Sequence, residues 1–309
     1  MTTLHAAPLQ GHTDAAWRRL HSEIYGDCQR AAAVTYYTPF VRLEKNDPRR
    51  HDMRDFTSPL NEGVDLIPQI IFGTAEEFRR LVDSLVAAGA GRINLNCGCP
   101  FPLQTARGRG AASLALLPDI ASVMAEYTSV DFSLKMRPGM TRPDEWRAVV
   151  DTINGMPLTA VTMHPRTAKQ QYRGELHREE FAAFLSECRH PVIFNGDLLV
   201  PADIDTVTES YPGLAGVMAG RGLVGRPSLF AEYAGGGEWD RARRLDAMLR
   251  LHDRLYAHYC RTLCGDSQIL SKIKPFWEYS EAEIGRKAWK ALHKAMTPAK
   301  YRAALSMIG

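Results

Sequence analysis

Eight short β-rich runs alternate with amphipathic helical stretches through the first 238 residues, and no other feature of the chain constrains its fold as much. The runs are Leu4–Leu9, Ala31–Thr38, Asp65–Phe72, Arg92–Asn96, Asp131–Arg137, Ala160–Met163, Pro191–Phe194 and Ala215–Ala219. Helical patterns follow most of them, at Thr13–Ile24, Ala75–Ala88, Leu117–Tyr127, Asp144–Ile153, Arg178–Cys188 and Ala202–Glu209. Strands that alternate with helices make a parallel sheet, because each helix carries the chain back to the same edge. About eight such units in about 240 residues is the size of a (β/α)8 TIM barrel, in the α/β class. A doubly wound open sheet is the alternative, but no Gly-x-Gly-x-x-Gly turn follows the first run.

The pattern changes at Gly235-Gly236-Gly237. Beyond it, Arg241–Cys260, Ile269–Tyr279, Glu283–Ala295 and Pro298–Met307 carry apolar residues at helical spacing, which reads as a small helical bundle. The expected division is therefore a barrel domain over 1–236 and a helical domain over 239–309, with the glycines as a flexible joint. Charge follows the same division. The whole chain has 38 Lys/Arg and 35 Asp/Glu, a formal net of +3, which excludes a histone-like binder. From Trp239 onward, however, 14 basic residues face 7 acidic ones, giving +7 and leaving −4 on the rest. No run approaches the roughly 18 apolar residues of a membrane span. Met1 to His5 lack the basic start and apolar run of a secretory leader. Six cysteines in 309 residues are too sparse for a disulfide scaffold: Cys28, Cys188, Cys260 and Cys264 are scattered, and only Cys97 and Cys99 lie close together. A reducing cytoplasm is the expected location.

Barrel active sites lie at the C-terminal ends of the strands. The first run ends Pro8-Leu9-Gln10-Gly11, a tight turn. Gln69 is an amide inside an apolar run and needs a hydrogen-bond partner, from structure or from a ligand. The fourth run ends Asn94-Leu95-Asn96-Cys97-Gly98-Cys99-Pro100 and places thiols on a loop, where they can act as acids or nucleophiles. No second pair has zinc-ligand spacing, so no metal is expected. The glycine-rich basic stretch Arg107–Ala112 reads as a mobile loop. Lys135 alternates with Leu134 and Met136 and points into the barrel mouth, where an anionic ligand, a Schiff base or a salt bridge would satisfy it. His164 closes the sixth run, as a structural or a functional histidine. Asn195-Gly196-Asp197 and Gly220-Arg221-Gly222 end the seventh and eighth runs, where barrels build phosphate sites from backbone N–H groups. Arg221 adds a charge for such a group. The polar connection Arg42–Gly63 is long for an α/β unit, as functional loops are.

Taken in order and at these spacings, the motifs resemble those of the tRNA-dihydrouridine synthases over the whole length of the chain. The matching pieces are Ala7–Gly11, Leu95–Pro100, Lys135–Arg137, His164–Thr167 with Tyr172–Gly174, Asn195–Asp197 and Gly220–Gly222. The Asn-Cys-Gly-Cys-Pro run is most similar to the bacterial subgroup that modifies position 16 of the D-loop. The resemblance implies FMN across the barrel mouth, with its phosphate on Asn195, Gly196, Asp197, Gly220 and Arg221. It puts Pro8, Leu9, Gln10 and Gln69 along the isoalloxazine, Lys135 at the pyrimidine end of the ring system and His164 beside it. It further implies NADPH or NADH as reductant, hydride transfer to carbon 6 of a uridine and protonation of carbon 5. Cys99 matches the proton donor, and Cys97 a position without catalytic duty. Asn96, Arg137, Arg166, Tyr172 and Arg173 are then expected at the uridine, and Lys272, Lys274, Arg286 and Lys287, with Lys290 and Lys294, on tRNA phosphates. A monomer is expected.

The chain departs from the family at three places. Asn94 stands where an acidic residue is frequent, Tyr36–Pro39 occupy a stretch where many members have Glu, and Arg109 interrupts the glycine loop. All three bear on the substrate pocket. Three other readings use the same residues: an FMN barrel acting on a free pyrimidine, like a dihydroorotate dehydrogenase; a Schiff-base aldolase using Lys135; and a non-catalytic tRNA-binding module. The first gives the basic helical region no task.

Overall fold

The computed structural model describes residues 2–26 and 33–309. Cys28, and Ala31 and Ala32 at the start of the second run, lie outside them. Nine parallel strands form one sheet: β1 (Thr3–Ala6), β2 (Val34–Tyr37), β3 (Leu66–Ile67), β4 (Gln69–Ile70), β5 (Arg92–Cys97), β6 (Asp131–Met136), β7 (Leu158–Met163), β8 (Val192–Asn195) and β9 (Gly216–Ala219). Their order is β3-β2-β1-β9-β8-β7-β6-β5-β4. The two ends of this order, β3 and β4, are halves of one extended run. Pro68 separates them because it has no N–H for the ladder. The sheet therefore closes on itself with eight strand positions, a TIM barrel.

Most strand residues are buried on both faces, as helix-covered parallel sheets require. Register fixes which side chains share a level. Gln69, Asn94 and Ser133 are Cα partners in sequence across β4, β5 and β6, and two residues further on Asn96, Lys135 and Thr162 are partners across β5, β6 and β7. The polar residues at the strand ends thus stack in layers beneath the barrel mouth.

The helices also depart from the expected bounds for local reasons. The first spans Ala15–Tyr25, because the Asp14 carboxylate accepts the Trp17 N–H and caps it. The stretch Ile269–Tyr279 is a helix Asp266–Ile273 and a 3-10 turn Lys274–Trp277, split at Pro275. Glu283–Ala295 breaks at Gly285, whose φ of +81° suits glycine.

The long helix Arg241–Thr262 packs on Ala15–Tyr25, and one continuous buried cluster runs from the barrel wall to Leu251, Trp277 and Tyr301. The glycine run, expected to be a loose joint, is tied down. Gly235, Gly236 and Gly237 donate to Ala231, Tyr233 and Glu232 carbonyls, and the buried Glu232 carboxylate accepts the Trp239 N–H at 2.8 Å while pairing with Arg226. Asp14 completes the junction: it accepts Lys272 Nζ at 2.6 Å and the Tyr259 hydroxyl at 3.0 Å. Among the described residues no helix is long and apolar enough to cross a membrane.

Candidate active site at the barrel mouth

A cavity of about 600 Å3 opens at the C-terminal ends of the strands. Its wall includes Pro8, Leu9, Gln10, Gln69, Asn96, Cys99, Lys135, Arg137, His164, Tyr172, Asn195, Gly196, Asp197, Gly220 and Arg221, so fifteen residues predicted from eight separate stretches meet in one place. Arg166 lies just behind it, Arg173 is exposed nearby, and Lys272, Lys274, Arg286 and Lys287 are outside it.

The lower layer is a chain of amides. Gln69 Nε2 donates to Asn94 Oδ1 at 2.7 Å, Asn94 Nδ2 donates to Ser133 Oγ at 2.8 Å, and Asn96 Nδ2 donates to Gln69 Oε1 at 2.7 Å. Both ends of the Gln69 amide are thereby satisfied within the protein, as a fully buried amide requires. Asn94, the departure from an acid, is suited to this position because it must donate as well as accept.

Asn96 also shapes the thiol loop. Its Oδ1 accepts the N–H groups of Gly98 and Cys99 at 3.1 and 2.9 Å, which curls the backbone immediately after β5. The Cys99 carbonyl accepts the Ala111 N–H at 3.0 Å. Gly110, at φ +63°, lies against it: a Cβ there would meet the Cys99 oxygen at 2.5 Å. The stretch expected to be a mobile loop is packed instead. Arg109 is buried and bidentate to Glu77, which also accepts the Gly73 N–H. Cys97 points away into the core, with its sulfur accepting from Ser113 at 3.2 Å, and burial pushes its thiol up to about 12.

Two cations, Lys135 and Arg137, adjoin Cys99. Lys135 lines the cavity and makes no hydrogen bond or ion pair among the described residues. Burial, with the repulsion of Arg137 added, lowers its ammonium to about 7. Arg137 is committed to the scaffold: Nε donates to Gly98 O at 2.9 Å, and one amino group donates to Thr167 O at 2.9 Å and Gln171 O at 2.7 Å. It joins the thiol loop to the loop after β7. Arg166, buried, pairs with Asp197 and donates to Gly174 O. These two predicted substrate contacts are thus taken up within the wall. Burial raises the Cys99 thiol above its ordinary value, although the Phe101 N–H and the charges of Arg137 and Lys135 pull the other way, so it stays protonated at neutral pH. His164 is held well below its ordinary value by burial and the same cations, and its Nδ1 is a buried atom with no partner. A neutral His Nδ1 without a partner and an ammonium without a counter-ion leave one acceptor or donor site and one charge for a ligand.

On the far side, Asn195 donates to Met218 O at 2.7 Å and fixes the ends of β8 and β9 together. Arg221 lies 3.0 Å from Asp197 and 4.3 Å above the Tyr172 ring. Gly222 is glycine for packing, since a Cβ would strike the Leu198 carbonyl.

Sequence reading missed His12, Phe40, Arg42, Arg49, Phe101, Leu103, Gln104 and Tyr279, all of which line the cavity. Arg42 and Arg49 were signalled by the length of their loop and Phe101 by its neighbouring thiol. Tyr279, from the helical region, carried no signal. It reaches the cavity because its backbone packs on Gly225 and its ring against His12 at 5.4 Å. The +7 region divides. Lys272 is bound to Asp14, and Lys274 donates to Ala295 O at 3.2 Å. Arg286, Lys287, Lys290 and Lys294 remain on the exposed face of helix Arg286–Lys294.

The sequence model of the family described as "Dihydrouridine synthase (Dus)" matches residues 5–305. A curated relative, tRNA-dihydrouridine synthase B of Pseudomonas putida, is 30% identical over 257 residues, covering 79% of this chain and 72% of that one. A probable tRNA-dihydrouridine synthase of Staphylococcus aureus is 26% identical over 264 residues, covering 82% of this chain and 77% of the other. Among solved structures, morphinone reductase superposes with a TM-score of 0.52 at 12% identity, over 77% of this chain and 87% of that one. An old yellow enzyme from Trypanosoma cruzi gives 0.52 at 11%, over 77% and 89%. The latter two are similar in fold.

Proposed function

The chain belongs to the dihydrouridine synthase family, and from that premise we propose that the barrel cavity accommodates FMN and a uridine of the tRNA D-loop together, with Cys99 as proton donor. The protein is a flavin-dependent oxidoreductase that reduces uridine in tRNA. FMN bound in the cavity supplies the hydride chemistry, with NADPH as the reductant. The residues suit that group. Lys135 offers an uncompensated cation to the end of the ring system where negative charge gathers on reduction. His164 offers an unpartnered ring nitrogen. Arg221, with the backbone at Gly196 and Gly220, offers a phosphate its charge and donors. Pro8, Leu9 and Gln10 form the wall on the other side.

Cys99 performs the acid step. Its thiol is protonated, lines the cavity and is held in place through Asn96, Gly110 and Ala111. General acid catalysis requires a group protonated at the working pH and fixed at the acceptor carbon, here carbon 5 of the uracil. Arg137 positions the loop, and Tyr172 and Arg173 stand at the uridine. The helical region, 239–309, takes the tRNA backbone through Arg286, Lys287, Lys290 and Lys294, and the enzyme acts as a cytoplasmic monomer. Position 16 is the target this reading favours.

The observation that carries the proposal is the pairing of a loop thiol with an unpartnered lysine in one cavity. Nucleoside mass spectrometry of tRNA from cells with and without the gene tests it. Loss of dihydrouridine at a D-loop uridine is the expected result. An unchanged dihydrouridine map in a strain lacking every paralogue overturns it.

A further inference from the structure

Exposed apolar side chains are unevenly distributed over this molecule. Seven large hydrophobic residues are exposed among the described residues, and four of them, Phe101, Leu103, Tyr172 and Leu199, line the one barrel-mouth cavity. Single exposed apolar residues are ordinary, whereas a group clustered around one cavity marks a contact surface. Phe101 and Leu103 are the most exposed of the four, at 63% and 71%.

Their backbone is held while their side chains are left in solvent. Phe101 sits between Pro100 and Pro102 at φ −66° and ψ +126°, and each proline restricts the rotations around it. Its carbonyl accepts the Gln104 and Thr105 N–H groups at 2.8 and 3.0 Å. The loop beneath is the one curled by Asn96 and pinned at Cys99. An aromatic ring so mounted loses little conformational freedom when something covers it.

The cavity states what chemistry the cover must have. Arg42, Arg49, Lys135, Arg137 and Arg221 line it against a single carboxylate, Asp197. A ligand with flat apolar faces and repeated negative charge matches both the rim and the wall, and a single strand of nucleic acid has these properties. A uridine must leave its stack to enter the cavity, and its neighbour then lacks a stacking face. A phenyl ring on a fixed backbone two residues from Cys99 supplies one.

We propose that Phe101, backed by Leu103, is the stacking platform for the nucleobase next to the target uridine. It is a positioning residue: it holds the opened strand while the uridine is in the cavity. This rests on the tRNA-uridine reading above. Arg42 and Arg49, which line the same cavity, are assigned to the phosphates of the same strand.

The test compares Phe101→Ala, Phe101→Leu and Phe101→Trp in the flavin-loaded enzyme, with Val86→Ala, an exposed apolar residue outside the cavity, as control. Three quantities are read: the dissociation constant for unmodified tRNA transcript, the KM and kcat for dihydrouridine formation, and the rate at which NADPH bleaches the flavin. Phe101→Ala is expected to weaken tRNA binding and raise KM by about 5- to 150-fold, the range carried by one base–aromatic stack. Phe101→Trp restores both and Phe101→Leu does not, because an aromatic face is required. Flavin bleaching changes far less than KM. Equal rescue by Leu and Trp overturns the stacking role. So does slowed bleaching with unchanged tRNA affinity, which assigns the lip to the nicotinamide nucleotide. A dimer that Phe101→Ala dissociates assigns it to a second copy of the chain. A wild-type enzyme that forms no dihydrouridine overturns the underlying reading, whereas a working enzyme indifferent to Phe101 overturns only this one.

Discussion

Replacing Lys135 by Met removes the charge and keeps the length of the side chain, and the flavin-free protein should become more stable for it. In the cavity the ammonium is lowered from 10.5 to about 7, first by burial and then by Arg137. At about 1.36 kcal/mol per pH unit, holding that charge at pH 7 costs the flavin-free protein about 4 kcal/mol. Below pH 7 both folded and unfolded chains hold the proton, and the cost has its full value. Between pH 7 and 10.5 the unfolded chain binds a proton that the folded chain has released, so stability rises with pH by up to about 1.4 kcal/mol per unit. Above that range the cost is gone. Urea unfolding of flavin-free wild type and Lys135→Met from pH 6 to 10 measures this directly. The variant should lead by up to about 4 kcal/mol at neutral pH, on the order of 8 °C in Tm, and the lead should close as pH rises. Adding FMN should narrow the lead by about 1.4–2.7 kcal/mol, because only the wild type gains a charge-assisted contact and the variant should bind flavin about 10- to 100-fold more weakly. Parallel pH curves, or a variant less stable than wild type without flavin, would show that Lys135 is already satisfied within the protein.

Four other outcomes are expected. Cys99→Ala should lower dihydrouridine formation by about 10²- to 10⁴-fold with flavin retained, as loss of a general acid does. In the wild type, kcat should stay level through neutral pH and fall only above the ordinary thiol range, because burial keeps the proton on; stopped-flow turnover against pH reads this. Lys272→Ala should cost about 1–3 kcal/mol of stability by stripping Asp14 of its charge partner, and should leave the salt dependence of tRNA affinity unchanged, whereas Lys290→Ala should lower that log–log slope by about 0.7–0.9. Asn96→Ala should release the Gly98 and Cys99 N–H groups, lowering kcat more than flavin affinity in steady-state and flavin-titration measurements.

The barrel was legible because each strand is an apolar run closed by Pro, Gly or a polar residue, and those closing residues line the cavity. They meet because register carries Asn96, Lys135 and Thr162 to one level. Partner choice was not legible, because it depends on contacts between distant segments. Arg109, a mere interruption in the glycine loop by sequence, is fixed by Glu77, 32 residues away. Arg137 and Arg166 have the motif of substrate contacts but spend their donors on carbonyls and Asp197. Lys272 counts toward a basic region, yet its charge closes on Asp14. Local chemistry was also hidden in the helical region, where Pro275 and Gly285 divide stretches that hydropathy alone runs together.

Asp14 has a further consequence, in time rather than in space. It is synthesised well before its partners and caps the helix Ala15–Tyr25, but Tyr259 lies 245 residues later and Lys272 later still. While the ribosome is still at work, the barrel's strands and helices can pair with near neighbours, but the outer face of Ala15–Tyr25 stays uncovered and its carboxylate unmatched. Only when Arg241–Thr262 and Lys272 emerge does this helix acquire its cover. A product interrupted before them therefore displays an uncovered helix face beside a stray charge, the kind of surface that chaperones and proteases recognise, so Ala15–Tyr25 reports whether the helical region was made.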